Sequence, residues 1–164
     1  MPCFLATKNG RIKKKQIGGI MQEETSNKLI NVGLLILRVG LGIIMMVHGI
    51  PQLTGGVELW QKLGGAMAVF GINFAPAFWG FMAAFAESIG SLFLLLGIGV
   101  RIFAALLSFT MLVAFLMHAQ KGDGFQVYSH ALSLAVVFFA IVVIGGGNLS
   151  IGAKIKALAG HWYQ

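Results

Sequence analysis

Four stretches of this chain, at about 29–50, 76–99, 101–119 and 129–146, are almost unbroken runs of apolar residues. Each is long enough to cross a bilayer core of about 30 Å as a helix. Pro51 is expected to close the first helix, because a proline inside a helix loses a backbone hydrogen bond, and Pro76 to open the second, where it is tolerated in the first turn. "GIGVR" joins the second and third runs and is short enough only for a tight hairpin, so Arg101 marks one membrane surface. Between the first two runs, Leu59, Leu63, Met67 and Phe70 recur at helical spacing beside Trp60, which predicts a short amphipathic helix on the outer surface, weakened by Gly64-Gly65. "KGDGF" at 121–125 reads as a Gly-rich turn. The pattern thus predicts an all-α, polytopic four-helix bundle at 29–150, between a polar tail at 1–28 and a short cytoplasmic tail at 151–164.

Composition agrees with the membrane reading: 57% of the 164 residues are hydrophobic and 10% charged, against roughly 25% charged in soluble domains. Cys3 is the only cysteine, so dithiol redox chemistry and cysteine-based metal clusters are excluded. The net charge of +7 does not point to nucleic acid, because its largest block, Lys8 to Lys15, lies outside the apolar body. It suits orientation and anionic lipid instead. The side bearing the N-terminal tail, Arg101, Lys154 and Lys156 has nine Lys or Arg, against Lys62 and Lys121 on the other. Both termini are therefore expected in the cytoplasm. Codons for Ile17-Gly18-Gly19 could spell a ribosome-binding sequence, so translation is expected to start at Met21, and the first 20 residues to be an annotation artefact.

Polar residues inside the spans carry the candidate chemistry. Arg38 lies nine residues into the first run and Glu87 eleven into the second, so antiparallel helices are expected to bring them together near the bilayer midplane as an ion pair. Ala83, Glu87, Gly90, Leu94 and Gly97 follow a seam on the second helix, and Gly40 and Gly42 flank Arg38, which favours close packing. The alternative is a pair that sets helix register and touches no substrate.

His48, His118 and His130 are each placed near the outer end of a span, and the topology is expected to bring them to a common level. There they would contact a quinone carbonyl, relay protons or ligate a metal or haem; alternatively, each ring simply suits the headgroup boundary. No metal site is expected, because no HxxxH or HxH spacing exists and Glu58 and Asp123 lie in loops. The methionines read as packing or lipid-facing residues. No nucleophile elbow, phosphate loop or dinucleotide fingerprint is present.

"LRVGLGIIMMVHGIPQLTGG", "FWGFMAAFAESIGSLFLLLGIGVR", "KGDGFQVYSHAL" and "IGGGNLSI" resemble, in order and spacing, the DoxX family of small bacterial inner-membrane proteins over roughly residues 30 to 152. The resemblance implies a four-helix bundle in the inner membrane, and it matches the polar positions Arg38, His48, Glu87, Arg101, His118 and His130. It also implies association with membrane oxidoreductase systems. Two departures stand out: relatives commonly carry lysine where this chain has Gln52, and Leu-Asp where it has Ile151-Gly152.

The expected role is an accessory subunit of a quinone-linked oxidoreductase, with a bound quinone, a soluble or peripheral redox partner and a homo-oligomer among its associations. Whether the chain is itself an enzyme stays open. The competing readings are proton or small-solute permeation by an oligomer and a structural anchor or assembly factor.

Overall fold

In a computed structural model of the chain, residues 3–155 are described, with side chains from Met21 onward. The side chains of the basic run from Lys8 to Lys15, residue Lys156 and the expected tail beyond Ile155 lie outside the described residues.

Every regular element described is helical: α1 (Cys3–Thr54), α2 (Gly56–Gly64), a 3-10 turn (Gly65–Phe70), α3 (Pro76–Phe85), a π turn (Ala86–Gly90), α4 (Ser91–Leu96), α5 (Val100–Gln120), α6 (Phe125–Ile144) and α7 (Ile151–Lys154). The second span is α3, the π turn and α4 in one continuous path. Four segments, Met21–Thr54, Pro76–Leu96, Val100–Gln120 and Phe125–Ile144, are long and apolar enough to cross a membrane. The helix backbone satisfies its own polar groups, as a lipid surrounding requires.

Pro76 begins α3 as expected, and Gly97 and Gly99 take left-handed backbone in the hairpin between α4 and α5. Pro51, however, lies inside α1, which continues to Thr54. A proline costs one backbone bond, which a membrane helix tolerates when neighbours compensate. Left-handed Gly56 then lets the chain break and restart as α2. The segment expected to lie on the surface is packed along α3: a Cβ on Gly64 would overlap the Pro76 carbonyl, and one on Gly80 the Trp60 carbonyl. Trp60 faces Gly80 and Gly64 faces Pro76, so α2 climbs antiparallel to α3 and prolongs the first crossing.

Two more glycines set the register of α1. At Gly42 a Cβ would come within 2.9 Å of the Leu95 side chain and 3.1 Å of the Ser91 carbonyl, and at Gly49 it would collide with the backbone of Glu87 and Ser88. Missing side chains let these backbones touch. The core beside this seam holds Met45, Leu94, Leu107, Phe138 and Ile141, all nearly inaccessible. The last span, α6, packs chiefly on α5, and Ser108 donates to the Ala135 carbonyl across that contact at 2.9 Å.

Residues after α6, among them Ile151–Lys154 of the expected cytoplasmic tail, close one end of the bundle. The Gly152 amide donates to Gly97 at 2.9 Å, the Asn148 amide to Asn31 Oδ1 at 2.6 Å, and Ser150 caps α7. This is called the hairpin end, and the opposite one, carrying α2 and the 121–124 turn, the loop end.

Gly49→Ala is expected to lower stability by about 1–3 kcal/mol, since the new methyl group has only backbone to displace. Gly40, with nothing within 4 Å of its would-be Cβ, provides the control: Gly40→Ala is expected to be neutral or stabilising. Thermal unfolding of both variants in detergent checks the contrast, and equal midpoints would contradict this register.

Candidate functional site

The register sends the two buried charges to different places. Arg38 is fully buried at the hairpin end, against Gly97 and Ser150, where its Nη2 donates to the Leu149 carbonyl at 3.3 Å. Its Nε and Nη1 are buried with no partner among the described residues. Glu87 lies beside Gly49, and ten residues of helix separate it from Gly97, which is about 15 Å at 1.5 Å per residue. The expected Arg38–Glu87 ion pair is therefore not formed. Span edges drawn from hydropathy gave equal depths, whereas the glycine contacts slide α1 so that Arg38 meets the hairpin.

Glu87 has a different partner, Gln52, whose Nε2 donates to Glu87 Oε2 at 2.8 Å. Gln52 is held in turn by α2, because Trp60 Nε1 donates to the Gln52 carbonyl at 3.0 Å, and Trp60 packs edge-on against Phe81 at 5.0 Å. The carboxyl is 6% exposed and sits on the π turn, with Ser88 alongside donating to the Ala84 carbonyl at 2.6 Å. A π turn inserts an extra residue into the helix, re-aiming the side chains after it, and such turns concentrate at functional positions.

Among the described residues no cation lies within ion-pair distance of Glu87, and the one such pair is His118–Asp123. Gln52 Oε1 is buried without a partner. The amide therefore has an unused acceptor beside the carboxyl. A carboxylate accepts from Nε2, and a carboxylic acid would donate to Oε1 after an amide flip, so this pair accommodates either proton state.

The histidines are not level. His48 precedes Gly49 and shares the middle depth of Glu87, exposed on α1 one turn before Gln52. His118 lies near the loop end of α5, eighteen residues and about 27 Å from Val100. His130 lies fourteen residues and about 21 Å from Ile144 at the hairpin end of α6. The expected common level is replaced by a stagger, because α1 ends lower in the bundle than α5 and α2 completes the crossing. His118 Nδ1 is 2.6 Å from Asp123 Oδ2, and both side chains are about one-third exposed, while His130 is exposed. Among the described residues, no three His, Cys, Asp or Glu side chains gather to hold a metal.

Arg101 stands at the hairpin end, where its Nη2 donates to the Val143 carbonyl at 3.3 Å and places a cation at the C-terminus of α6. On the other side of the second span, α2, the 3-10 turn, α3 and α5 enclose an apolar cavity of about 430 Å³. Reading spans one at a time did not show this cavity or the Gln52–Glu87 bond. The lysine-to-glutamine departure at Gln52 was the available signal, and the seven-residue step from Gly42 to Gly49 would have set the register that interprets it.

The family model DoxX matches residues 33–120, more than half of the chain. A Bacillus subtilis (strain 168) protein named "Putative oxidoreductase CatD" is 32% identical over 117 residues, covering 70% of this chain and 82% of the relative. The chain belongs to the DoxX family of multi-pass membrane proteins. No solved structure matches it.

Because Arg38 and Glu87 sit apart, the single substitutions Arg38→Gln and Glu87→Gln are expected to add, within about 0.5 kcal/mol, in the double variant. Gln52 and Glu87 touch, so Gln52→Leu with Glu87→Gln is expected to depart from additivity by about 0.5–3 kcal/mol. Unfolding free energies of these cycles check both statements.

Proposed function

We propose that this chain is a membrane subunit of a quinone-linked oxidoreductase system, and that Glu87 with Gln52 handles protons for quinone chemistry at mid-depth. One observation carries the reading: a carboxyl buried at the centre of a span, with a neutral amide in place of a cation and an idle acceptor beside it. Carrying an ionisable group at that depth costs at least about 2.5 kcal/mol on insertion scales, and such groups mark proton or substrate routes by default. The printed name of the Bacillus subtilis relative supports an oxidoreductase setting.

A quinone, when bound, supplies a two-electron, two-proton couple. Gln52 Oε1 would accept from a ring hydroxyl, Glu87 would take or return its proton, and His48, exposed on the neighbouring turn, would pass protons along the open face of α1. Electrons would come from a partner protein; among the described residues no three His, Cys, Asp or Glu side chains gather to hold a metal.

A polar path through one chain has less support. Leu94, Leu107 and Phe138 are fully buried in the bundle core, which leaves apolar packing where a route for solutes would run.

The test uses full-length protein purified from its native membranes in mild detergent. Quinone is expected to co-purify with the wild type. Glu87→Gln is expected to lower quinone-dependent oxidation in those membranes at least tenfold while the chain still accumulates, with Glu87→Asp retaining more. Absence of bound quinone together with unchanged oxidation in Glu87→Gln would overturn the proposal.

A further inference from the structure

The cavity between α2, the 3-10 turn, α3 and α5 reaches Ala86 of the π turn but is lined by neither Glu87 nor Gln52, and its shape and charge point to a ligand of their own. Along α5 and its C-cap its wall extends from Leu106 to Lys121, fifteen residues, or about 22 Å at 1.5 Å per residue. That exceeds half of a hydrocarbon core of about 30 Å, so the cavity follows one leaflet for its full depth. Its lining is almost wholly apolar, and Phe78 and Phe109, each about half exposed, stand in its wall, so it opens sideways toward acyl chains. Phe70 stacks on Phe109 at 6.3 Å and braces the opening from the 3-10 turn.

The loop-end rim is different. Lys62 on α2 and Lys121 after α5 both line the cavity, and among the described residues they are the two lysines of that end of the bundle. Lys28, Arg38, Arg101 and Lys154 all belong to the hairpin end. Glu58 lies four residues before Lys62 and Asp123 two after Lys121, yet neither carboxylate is within ion-pair distance of a lysine; Asp123 is held by His118 instead. Just inside the rim, Trp79 Nε1 is buried and lacks an acceptor.

We infer that this cavity holds one acyl chain of an anionic phospholipid, with its phosphate between Lys62 and Lys121 and an ester carbonyl accepting from Trp79 Nε1. Length is ample for one acyl chain of a single leaflet, the wall matches a hydrocarbon tail, and two cations at the rim match a negative headgroup. A zwitterionic lipid would fill the same wall but gain less from the lysines. A quinone would leave the two cations without a counter-charge.

The test is native mass spectrometry of the full chain released from nanodiscs of equal phosphatidylglycerol and phosphatidylcholine. The wild type is expected to retain one phosphatidylglycerol in strong preference. Lys62→Gln with Lys121→Gln is expected to reduce that preference roughly 25-fold, taking about 1 kcal/mol per lysine near a lipid headgroup and tenfold per 1.4 kcal/mol. Ala114→Phe, which narrows the cavity without touching the rim, is expected to lower retention of both lipids; its thermal unfolding reports separately on folding. Equal retention of the two lipids by the wild type, or a preference unchanged in the double lysine variant, would overturn the inference. So would a quinone adduct lost on Ala114→Phe. Loss of quinone on Glu87→Gln with lipid preference intact would leave this site standing, so the two proposals fail separately.

Discussion

The backbone of α1 touches the backbone of the second span at Gly49, and most of the polar arrangement follows from that contact. Between helices in lipid there is little hydrophobic driving force, so close van der Waals approach and hydrogen bonds must supply the association. Gly42 and Gly49 permit that approach at Ser91–Leu95 and at Glu87–Ser88 respectively. Once they are seated, Gln52 has to face Glu87, and Arg38 has to face Gly97 and the 149–150 loop. The π turn belongs to the same contact, since it lies where Gly49 presses and carries Glu87 on it.

The two ends of the bundle are built differently as a result. At the hairpin end, Arg38, Asn31 and Gly97 bind the segment following α6, and Arg101 caps α6 itself. That end is cross-linked by hydrogen bonds between segments far apart in the chain. The loop end has fewer such ties: α1 breaks at Gly55-Gly56, α2 completes the crossing, and a cavity opens beside it. From mid-depth toward this looser end lie a buried carboxyl, an unpartnered amide oxygen and the apolar cavity.

Much of the fold was legible in the amino-acid sequence because it depends on properties that are local to each segment. Four apolar runs of bilayer length, Pro76 at a helix start and the Gly97–Gly99 hairpin each follow from a few neighbouring residues. Register between helices is not local. Counting from the apolar edge of each run placed Arg38 opposite Glu87, but α1 extends well beyond its apolar run at the N-terminal end, so that edge marks no fixed depth. The same slip put His48 level with His118 and His130; Pro51 was a separate case, since α1 tolerates the lost bond and runs on to Thr54 before the chain restarts at Gly56. The expected tail from Ile151 on showed no tie to the bundle because the partners of this segment, Asn31, Arg38 and Gly97, lie more than fifty residues away in sequence. Glu87 was identifiable from its depth and charge; Gln52 became meaningful only once it had a neighbour.

The mid-span carboxyl of Glu87 is held by the Gln52 amide and not by Arg38. Magic-angle-spinning NMR on the protein in lipid bilayers, with carbon-13 in the Glu87 carboxyl and nitrogen-15 in the side chains of Gln52 and Arg38, measures the relevant couplings without altering a residue. A strong coupling to Gln52 Nε2, matching its 2.8 Å bond to Glu87, with none to the Arg38 guanidinium is the predicted result. A guanidinium coupling of hydrogen-bond strength would contradict the account.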